Sequence, residues 1–164
     1  RGGLLIEDWD GDNTFRDLIF YYGTYPDQND SFLALLIRLR RMGLFKKDDI
    51  RDYSLVTIML SKRDQDFSER GVQFLIEWDP TSLLQTDEAA NDDDNRWLPL
   101  HYSALTSLRV FTIVFEYGIR YYPVKKGIRL LFQKDNYDGG TPFQYVCREY
   151  GKDKMMEIVE EILT

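Results

Sequence analysis

The sequence predicts an all-α protein made of short helix pairs. Apolar residues recur at helical spacing in most segments of the chain. Those segments begin at residues that cap helices or suit a first helical turn, and none of them requires a sheet core. We therefore expect helices over residues 31–42, 49–61, 68–78, 99–106, 108–117, 142–150 and 153–163.

The stretch before the first helix, residues 1–30, is the hardest to interpret. Within it, residues 14–22 fit either a short helix or a buried strand, because a short apolar run does not separate the two. Asp30 or Ser31 caps the helix that follows, since a short polar side chain can accept a free N–H of the first turn. Gly43 suits the position just after that helix.

The second half of the chain carries clearer signals. Pro99 suits the first position of a helix, because its missing N–H would have no partner there. Gly118 is expected to end the helix over 108–117. We expect residues 121–127 to form a loop and residues 128–133 to be extended.

A unit of helix, turn, helix and extended segment recurs along the chain. Residues 74–78 match residues 113–117 at an offset of 39, and residues 158–159 continue the series at an offset of 45. The helix start at Pro99 recurs at Pro142. The offsets differ because loops between the units differ in length, and a longer loop costs only about 0.6 kcal/mol per doubling.

This unit resembles the ankyrin repeat. Residues 98–104, LPLHYSA, are similar to the family's T-P-L-H-x-A signature. Residues 116–119, EYGI, resemble its E-x-G-A ending, and residues 138–144, DGGTPFQ, resemble the start of its repeat. The resemblance implies that residues 50–164 hold two to three divergent ankyrin repeats, stacked as a short solenoid with extended finger loops.

The resemblance also implies a domain organisation. The chain would be one ankyrin-like repeat domain, 1–164, in which residues 1–48 form an N-terminal helical cap or a decayed repeat. The three repeats would occupy residues 49–87, 88–135 and 136–164. Each helix pair carries apolar residues on more than one side, and stacking the pairs would bury them.

His101 and Cys147 are the only residues of their types, and we assign both a structural role. Leu98 stands where the ankyrin family has Thr, so we expect His101 to bond backbone groups instead of that Thr. A catalytic base would need a nucleophile or carboxylate partner. Cys147 falls on the apolar face of a predicted helix, which favours a buried, inert thiol over a nucleophile. With one Cys and one His we expect no metal site and no cofactor.

Composition narrows the class of partner and the location. A net charge of −7 and a pI near 4.8 argue against a nucleic-acid-binding protein. The longest apolar run, residues 32–37, is far too short to span a bilayer, so we expect no membrane partner. A single cysteine excludes an intramolecular disulfide and favours an intracellular location. Because the chain begins at Arg1 and not at Met, we expect it to be a fragment.

Charged clusters are the remaining candidates for a site. The densest is an acidic loop formed by Asp87, Glu88, Asp92, Asp93 and Asp94. It lacks the spacing of a calcium loop, which leaves a solvated loop tip or a contact for a basic partner. We interpret two basic clusters as solvated surface or as complements of helix ends: Lys125-Lys126 with Arg129, and Arg38, Arg40, Arg41 with Lys46-Lys47.

These observations favour binding over catalysis. Nucleotide-binding, hydrolase and metalloprotease motifs are absent, so we expect no enzyme activity. The predicted function is a protein–protein interaction scaffold that binds an unknown protein partner on a concave face. The candidate contact residues are Asn95, Arg96, Trp97, Tyr102, Tyr137, Asp138 and Arg148.

Trp97 and Tyr102 are the better anchor candidates among these residues, because aromatic side chains dominate interface energies. Packing within the finger suits Trp97 equally well. Two other functions stay open. One is a small-ligand or enzyme module completed by chain outside this sequence, and the other is an architectural spacer in a longer repeat array.

Overall fold

The computed structural model describes most of the chain: residues 29–61, 68–86 and 96–164, together with Thr14, Asp17 and Leu18. Helices are the only regular elements in these ranges, and no strand occurs among the residues described. The prediction of an all-α chain is confirmed for this part. The chain divides into two compact units, residues 1–82 and 83–164.

The described helices of the first unit are α1 (Asn29–Arg41), α2 (Lys47–Asp52), α3 (Leu55–Leu60) and α4 (Glu69–Trp78). Helix α4 packs against α1 and α3. Gly71 allows this close packing, because a Cβ there would lie 3.0 Å from the Phe32 ring and 3.1 Å from the Met59 methyl group. The Ser68 hydroxyl caps α4 by accepting the Gly71 N–H at 3.0 Å.

The single helix predicted over 49–61 is wrong. The segment forms two short helices, α2 and α3, which are separated by Tyr53 and Ser54. Ser54 has a φ of 49°, in the left-handed region, and a right-handed helix cannot continue through such a residue. The break lets Ile50 and Leu55, one on each side of it, both be fully buried. Core packing therefore outweighs the local preference for one continuous helix.

The helices of the second unit are α5 (Pro99–Thr106), α6 (Leu108–Tyr121), α7 (Val124–Leu131), α8 (Pro142–Tyr150) and α9 (Lys152–Leu163), and a short 3₁₀ helix, Pro80–Leu84, crosses the boundary between the units along the chain. Helices α5 and α6 form one pair, α8 and α9 form another, and α5 packs against α8. Leu100, Phe111, Phe115 and Val146 are fully buried at these contacts. None of the described helices is long and apolar enough to cross a membrane.

Gly118 does not end the helix as predicted, because α6 continues to Tyr121. Gly118 is buried, and a Cβ there would lie 3.1 Å from the Leu130 side chain of α7. This glycine therefore serves close helix packing and does not reverse the chain. Ser107 caps the other end of α6, where its hydroxyl accepts the Val110 N–H at 3.2 Å.

The extended finger predicted over 128–133 is also wrong, and so is the loop over 121–127. Helix α7 begins after Pro123 and covers most of both segments. Its buried face consists of Gly127, Leu130 and Leu131. This spacing is helical, and a Cβ at Gly127 would lie 2.9 Å from the Gly118 carbonyl oxygen. The contact with α6 thus selects a helix where the sequence signals favoured an irregular segment.

Candidate binding site around Tyr145

Helices α5 and α8 begin in the same way. In α5, the Leu98 N–H donates to Nδ1 of His101 at 3.0 Å. In α8, the Thr141 N–H donates to Oε1 of Gln144 at 3.0 Å, and the Gln144 N–H donates to the Thr141 hydroxyl at 3.2 Å. Each helix also has Pro at its first position. The predicted starts of both helices are confirmed, and Gln144 performs the capping role in α8 that His101 performs in α5.

His101 is held by backbone groups on both sides of its ring, as predicted. It is fully buried. Because a backbone N–H can only donate, Nδ1 must be the unprotonated nitrogen, and Nε2 donates its proton to the Gln133 carbonyl at 3.0 Å. Burial lowers the pKa of His101, although the carbonyl of Gln133 and the charge of Asp135 oppose that shift. The neutral ring links the start of α5 to the segment that precedes α8.

Asp135 organises the turn between α7 and α8. Its Oδ1 accepts three backbone N–H groups, from Tyr137 at 3.0 Å, Asp138 at 3.1 Å and Gly139 at 3.0 Å. Its Oδ2 accepts the hydroxyl of Tyr145 at 2.5 Å. Burial acts to raise the pKa of Asp135, but these hydrogen bonds outweigh it and hold the pKa below its ordinary value. The turn is therefore built around a buried carboxylate.

Tyr145 lies between two carboxylates. Its hydroxyl oxygen is 2.5 Å from Oδ2 of Asp135 and 3.0 Å from Oδ1 of Asp138. A phenol has one proton to donate, and the shorter distance favours donation to Asp135. Burial, the bonds to both carboxylates and their negative charge raise the pKa of Tyr145 well above its ordinary value, so the phenol stays neutral. The oxygen of Asp138 also accepts the Gly140 N–H at 2.9 Å.

A pocket of about 290 Å³ opens beside Tyr145. Its walls are formed by Asp138, Gly139, Gly140, Gln144, Tyr145 and Arg148. The Arg148 guanidinium carbon lies 4.9 Å from the centre of the Tyr145 ring, within the range of a cation–π contact. Asp138 and Arg148 are both exposed. The pocket therefore presents a carboxylate at the hydroxyl of a neutral phenol and a guanidinium over its ring, which suits a polar or charged ligand group.

Trp97 packs against the inner side of this site. Its ring centre lies 5.1 Å from that of Tyr102, 5.6 Å from that of Tyr145 and 6.1 Å from that of His101. Trp97 is partly buried, and its Nε1 is a buried nitrogen without a hydrogen-bond partner among the residues described. This packing corresponds to the interpretation of Trp97 as a residue packed within its own unit, the alternative to an anchor for a partner.

The structure brings part of the predicted contact set together. Tyr137, which is 73% exposed, precedes Asp138 in the turn, and Asp138 and Arg148 line the pocket. Arg96 is exposed with a φ of 41°, and Tyr102 is partly buried. The remaining predicted residues lie outside the part of the chain that is described: Asn95 and the whole acidic loop of Asp87, Glu88, Asp92, Asp93 and Asp94.

Sequence reasoning missed Asp135, Gln144 and Tyr145 as members of the site. The role of Asp135 could have been predicted from the sequence, because an acidic residue shortly before Gly-Gly is typical of a turn whose backbone N–H groups bind that carboxylate. The Tyr145 contact joins residues ten positions apart and depends on the helix packing. Cys147 is partly buried, and burial raises the pKa of its thiol while the charge of Lys152 opposes that shift.

Comparison with family models, with curated proteins and with solved structures finds no match to this chain. Within the described ranges, no group of three or more His, Cys, Asp or Glu side chains is arranged to hold a metal ion. The class that the structure defines is therefore an all-α chain with a polar surface pocket.

Proposed function

We propose that this chain is a non-enzymatic protein-interaction scaffold, built from ankyrin-like helix pairs, that contacts its partner through the pocket beside Tyr145. The observation that carries the proposal is the repeated helix start. Leu98-Pro99 with His101 recurs as Thr141-Pro142 with Gln144, and both third helical residues accept the N–H before the proline. Such a recurring unit is typical of repeat proteins, whose usual function is binding.

The bond from His101 to Gln133 supports the repeat interpretation. It joins the first helix of one pair to the backbone that precedes the first helix of the next pair. Repeat proteins depend on contacts of this kind between neighbouring units, because one pair alone cannot bury its apolar faces. The same bond argues against catalysis by His101, since both ring nitrogens already have backbone partners.

The surface chemistry of the pocket supports a protein partner. Tyr137 offers a large exposed ring, and aromatic and Arg side chains contribute most of the energy at protein interfaces. The ion pair of Arg148 with Glu149, at 3.6 Å, is exposed and is worth at most about 1 kcal/mol. The guanidinium can therefore leave this pair for a carboxylate of the partner at little cost.

The test is affinity capture on the immobilised chain, followed by quantitative mass spectrometry. The variants Tyr137→Ala and Arg148→Ala change exposed side chains, so we expect both to fold like the wild type. Lys154→Ala is the matched control, because Lys154 is exposed on α9 and does not line the pocket. We expect one set of proteins to be captured by the wild type and the control and to be depleted at least about tenfold with both Tyr137→Ala and Arg148→Ala. Equal capture by all four proteins would refute the proposed contact surface.

The small-ligand alternative is tested on the same variants. A pocket of about 290 Å³ is at the lower limit for a small-molecule site and is open to solvent. A small-ligand module would bind low-molecular-weight compounds in a thermal-shift screen of the whole chain, and Arg148→Ala would abolish the shift. If such compounds bind while no protein is captured, the scaffold proposal gives way to this alternative.

A further inference from the structure

Helix α7 carries an unusual excess of positive charge for so acidic a chain. Residues 117–134 contain five basic side chains and no acidic one, whereas the whole chain has a net charge of −7. Lys125, Lys126 and Arg129 are all exposed on α7. These three residues are referred to below as the α7 basic face. The opposite side of the helix is packed into the unit.

The acidic side chains of the neighbouring helices do not neutralise this face. Helix α7 packs mainly against α6 and α8. The one acidic residue of α6, Glu116, pairs with Arg120 at 3.0 Å, and the one acidic residue of α8, Glu149, lies 3.6 Å from Arg148. Asp135 follows α7, but its Oδ1 is occupied by N–H groups of its own turn and its Oδ2 by the hydroxyl of Tyr145 in α8. Within the described ranges, no ion pair involves any residue of the α7 basic face.

Helix stability accounts for only part of this charge: Arg129 lies in the last turn of α7, where a cation complements the macrodipole, but the two lysines do not. Lys125 and Lys126 lie in the first turn of α7, where the macrodipole is positive and disfavours cations by a few tenths of a kcal/mol. Of the two interpretations of these lysines, the complement of a helix end is wrong, because complementary cations belong at the other end, whereas the solvated surface agrees with their exposure. Lys126 contacts the Tyr122 ring, with its Nζ 5.3 Å from the ring centre, but among the described residues neither lysine has an acidic partner. An acidic group from outside the unit would therefore offset the local electrostatic cost.

We propose that the α7 basic face binds an acidic segment of a partner protein, a short run of Asp and Glu side chains. Phe132 immediately follows α7, is 57% exposed and stacks on Phe143 with ring centres 5.5 Å apart. It supplies an apolar contact beside the three cations. This surface is distinct from the pocket beside Tyr145, so its test does not depend on the proposed pocket.

Charge and packing favour an acidic peptide over the other polyanions. A nucleic acid or an anionic membrane spans many charges and would also meet the acidic remainder of the chain. A short peptide on the α7 basic face interacts only with charges within the screening length, which is about 8 Å at physiological ionic strength. The acidic groups farther away on the chain therefore repel it little. Membrane binding by an amphipathic helix needs a free apolar face, and in α7 that face is buried: Gly127, Leu130 and Leu131.

The test is a fluorescence-anisotropy titration of a labelled oligoglutamate peptide with the whole chain. The variant Lys125→Ala/Lys126→Ala/Arg129→Ala removes the face. The control Arg38→Ala/Arg41→Ala/Lys152→Ala removes the same number of exposed cations elsewhere. We expect wild-type binding that weakens between about 50 and 200 mM salt. We also expect the affinity for the peptide to fall about tenfold or more in the face variant and less than about twofold in the control.

Three results would overturn the inference. The first is an equal loss of affinity in both triple variants, which would show that only net charge matters. The second is an absence of saturable binding to oligoglutamate at low salt. The third is tighter binding to an oligonucleotide or to vesicles containing phosphatidylserine than to the peptide. A folded face variant, checked by circular dichroism, is required in each case.

Discussion

Replacing Tyr145 by Phe removes one hydroxyl group and keeps the ring in place. The hydroxyl donates a 2.5 Å hydrogen bond to the buried Asp135, which is only 4% exposed. A hydrogen bond to a charged group contributes about 1.5–3 kcal/mol, and the Asp135 oxygen would be left without a donor. We therefore expect Tyr145→Phe to lower the free energy of unfolding of the second unit by about 2 kcal/mol.

The bonds of Asp135 predict an order among further variants. Asp135→Ala removes the acceptor of three backbone N–H groups as well as the partner of Tyr145, so we expect a loss of about 3–5 kcal/mol. Asp135→Asn keeps an oxygen at the Oδ1 position, and its new N–H group can donate to the phenol. The phenol can then donate to Asp138, 3.0 Å away, so the loss falls to about 1 kcal/mol.

The assay is urea unfolding followed by circular dichroism, with hydrogen exchange over residues 96–164 to assign the change to the second unit. A double-mutant cycle between Tyr145→Phe and Asp135→Ala isolates the pair, and we expect a coupling energy of about 2 kcal/mol. A Tyr145→Phe variant within about 0.5 kcal/mol of the wild type, or a coupling energy near zero, would refute the reasoning.

Three further predictions concern other contacts. Burial lowers the pKa of His101 below the ordinary histidine value of 6.5. When the pH falls below 6.5, the unfolded chain therefore takes up the proton before the folded chain does. The free energy of unfolding then decreases, by up to about 1.4 kcal/mol for each pH unit. His101→Gln should flatten this dependence between pH 6.5 and 5, and an unchanged slope in urea titrations would contradict the assignment. Gly127→Ala would place a Cβ 2.9 Å from the Gly118 carbonyl oxygen, so we expect a loss of about 1–3 kcal/mol in urea unfolding, and a neutral effect would contradict the packing of α7. Arg40→Ala removes a guanidinium 4.3 Å from the Trp78 ring centre, and we expect a loss of about 0.5–1 kcal/mol by the same measurement, with no loss for the neighbouring exposed Arg41→Ala.

Much of the helical layout could be predicted from local signals. Ser68 and Pro99 mark helix starts because a capping hydroxyl or a missing N–H acts within one turn of the chain. That His101 bonds backbone groups was predicted from the motif around it, although its two partners, Leu98 and Gln133, were not. Tyr137, Asp138 and Arg148 were chosen from their positions in the repeat. The structure places Asp138 and Arg148 in the lining of one pocket, and Tyr137 is the exposed residue that precedes Asp138 in the turn.

The errors have a common physical origin. Gly118 was interpreted as a helix end, because glycine favours that position locally, and Gly127 was placed in a loop over residues 121–127. Their actual role is to let α6 and α7 approach each other closely, which depends on residues in another helix. Ser54 interrupts the predicted helix over 49–61 so that residues on both sides reach the core. Each error arises where a contact distant in sequence outweighs a local preference.

The sequence by itself determined the helical class, most helix starts and the repeated motif, because caps, prolines and apolar spacing act over one or two turns. Only the tertiary structure decided that Tyr145 shares a hydrogen bond with Asp135 and that Asp138 and Arg148 face one pocket. It also decided that the acidic residues of the two neighbouring helices, Glu116 and Glu149, pair with arginines outside the α7 basic face. These features depend on which helix faces are buried against each other, and that choice follows from packing several helices together.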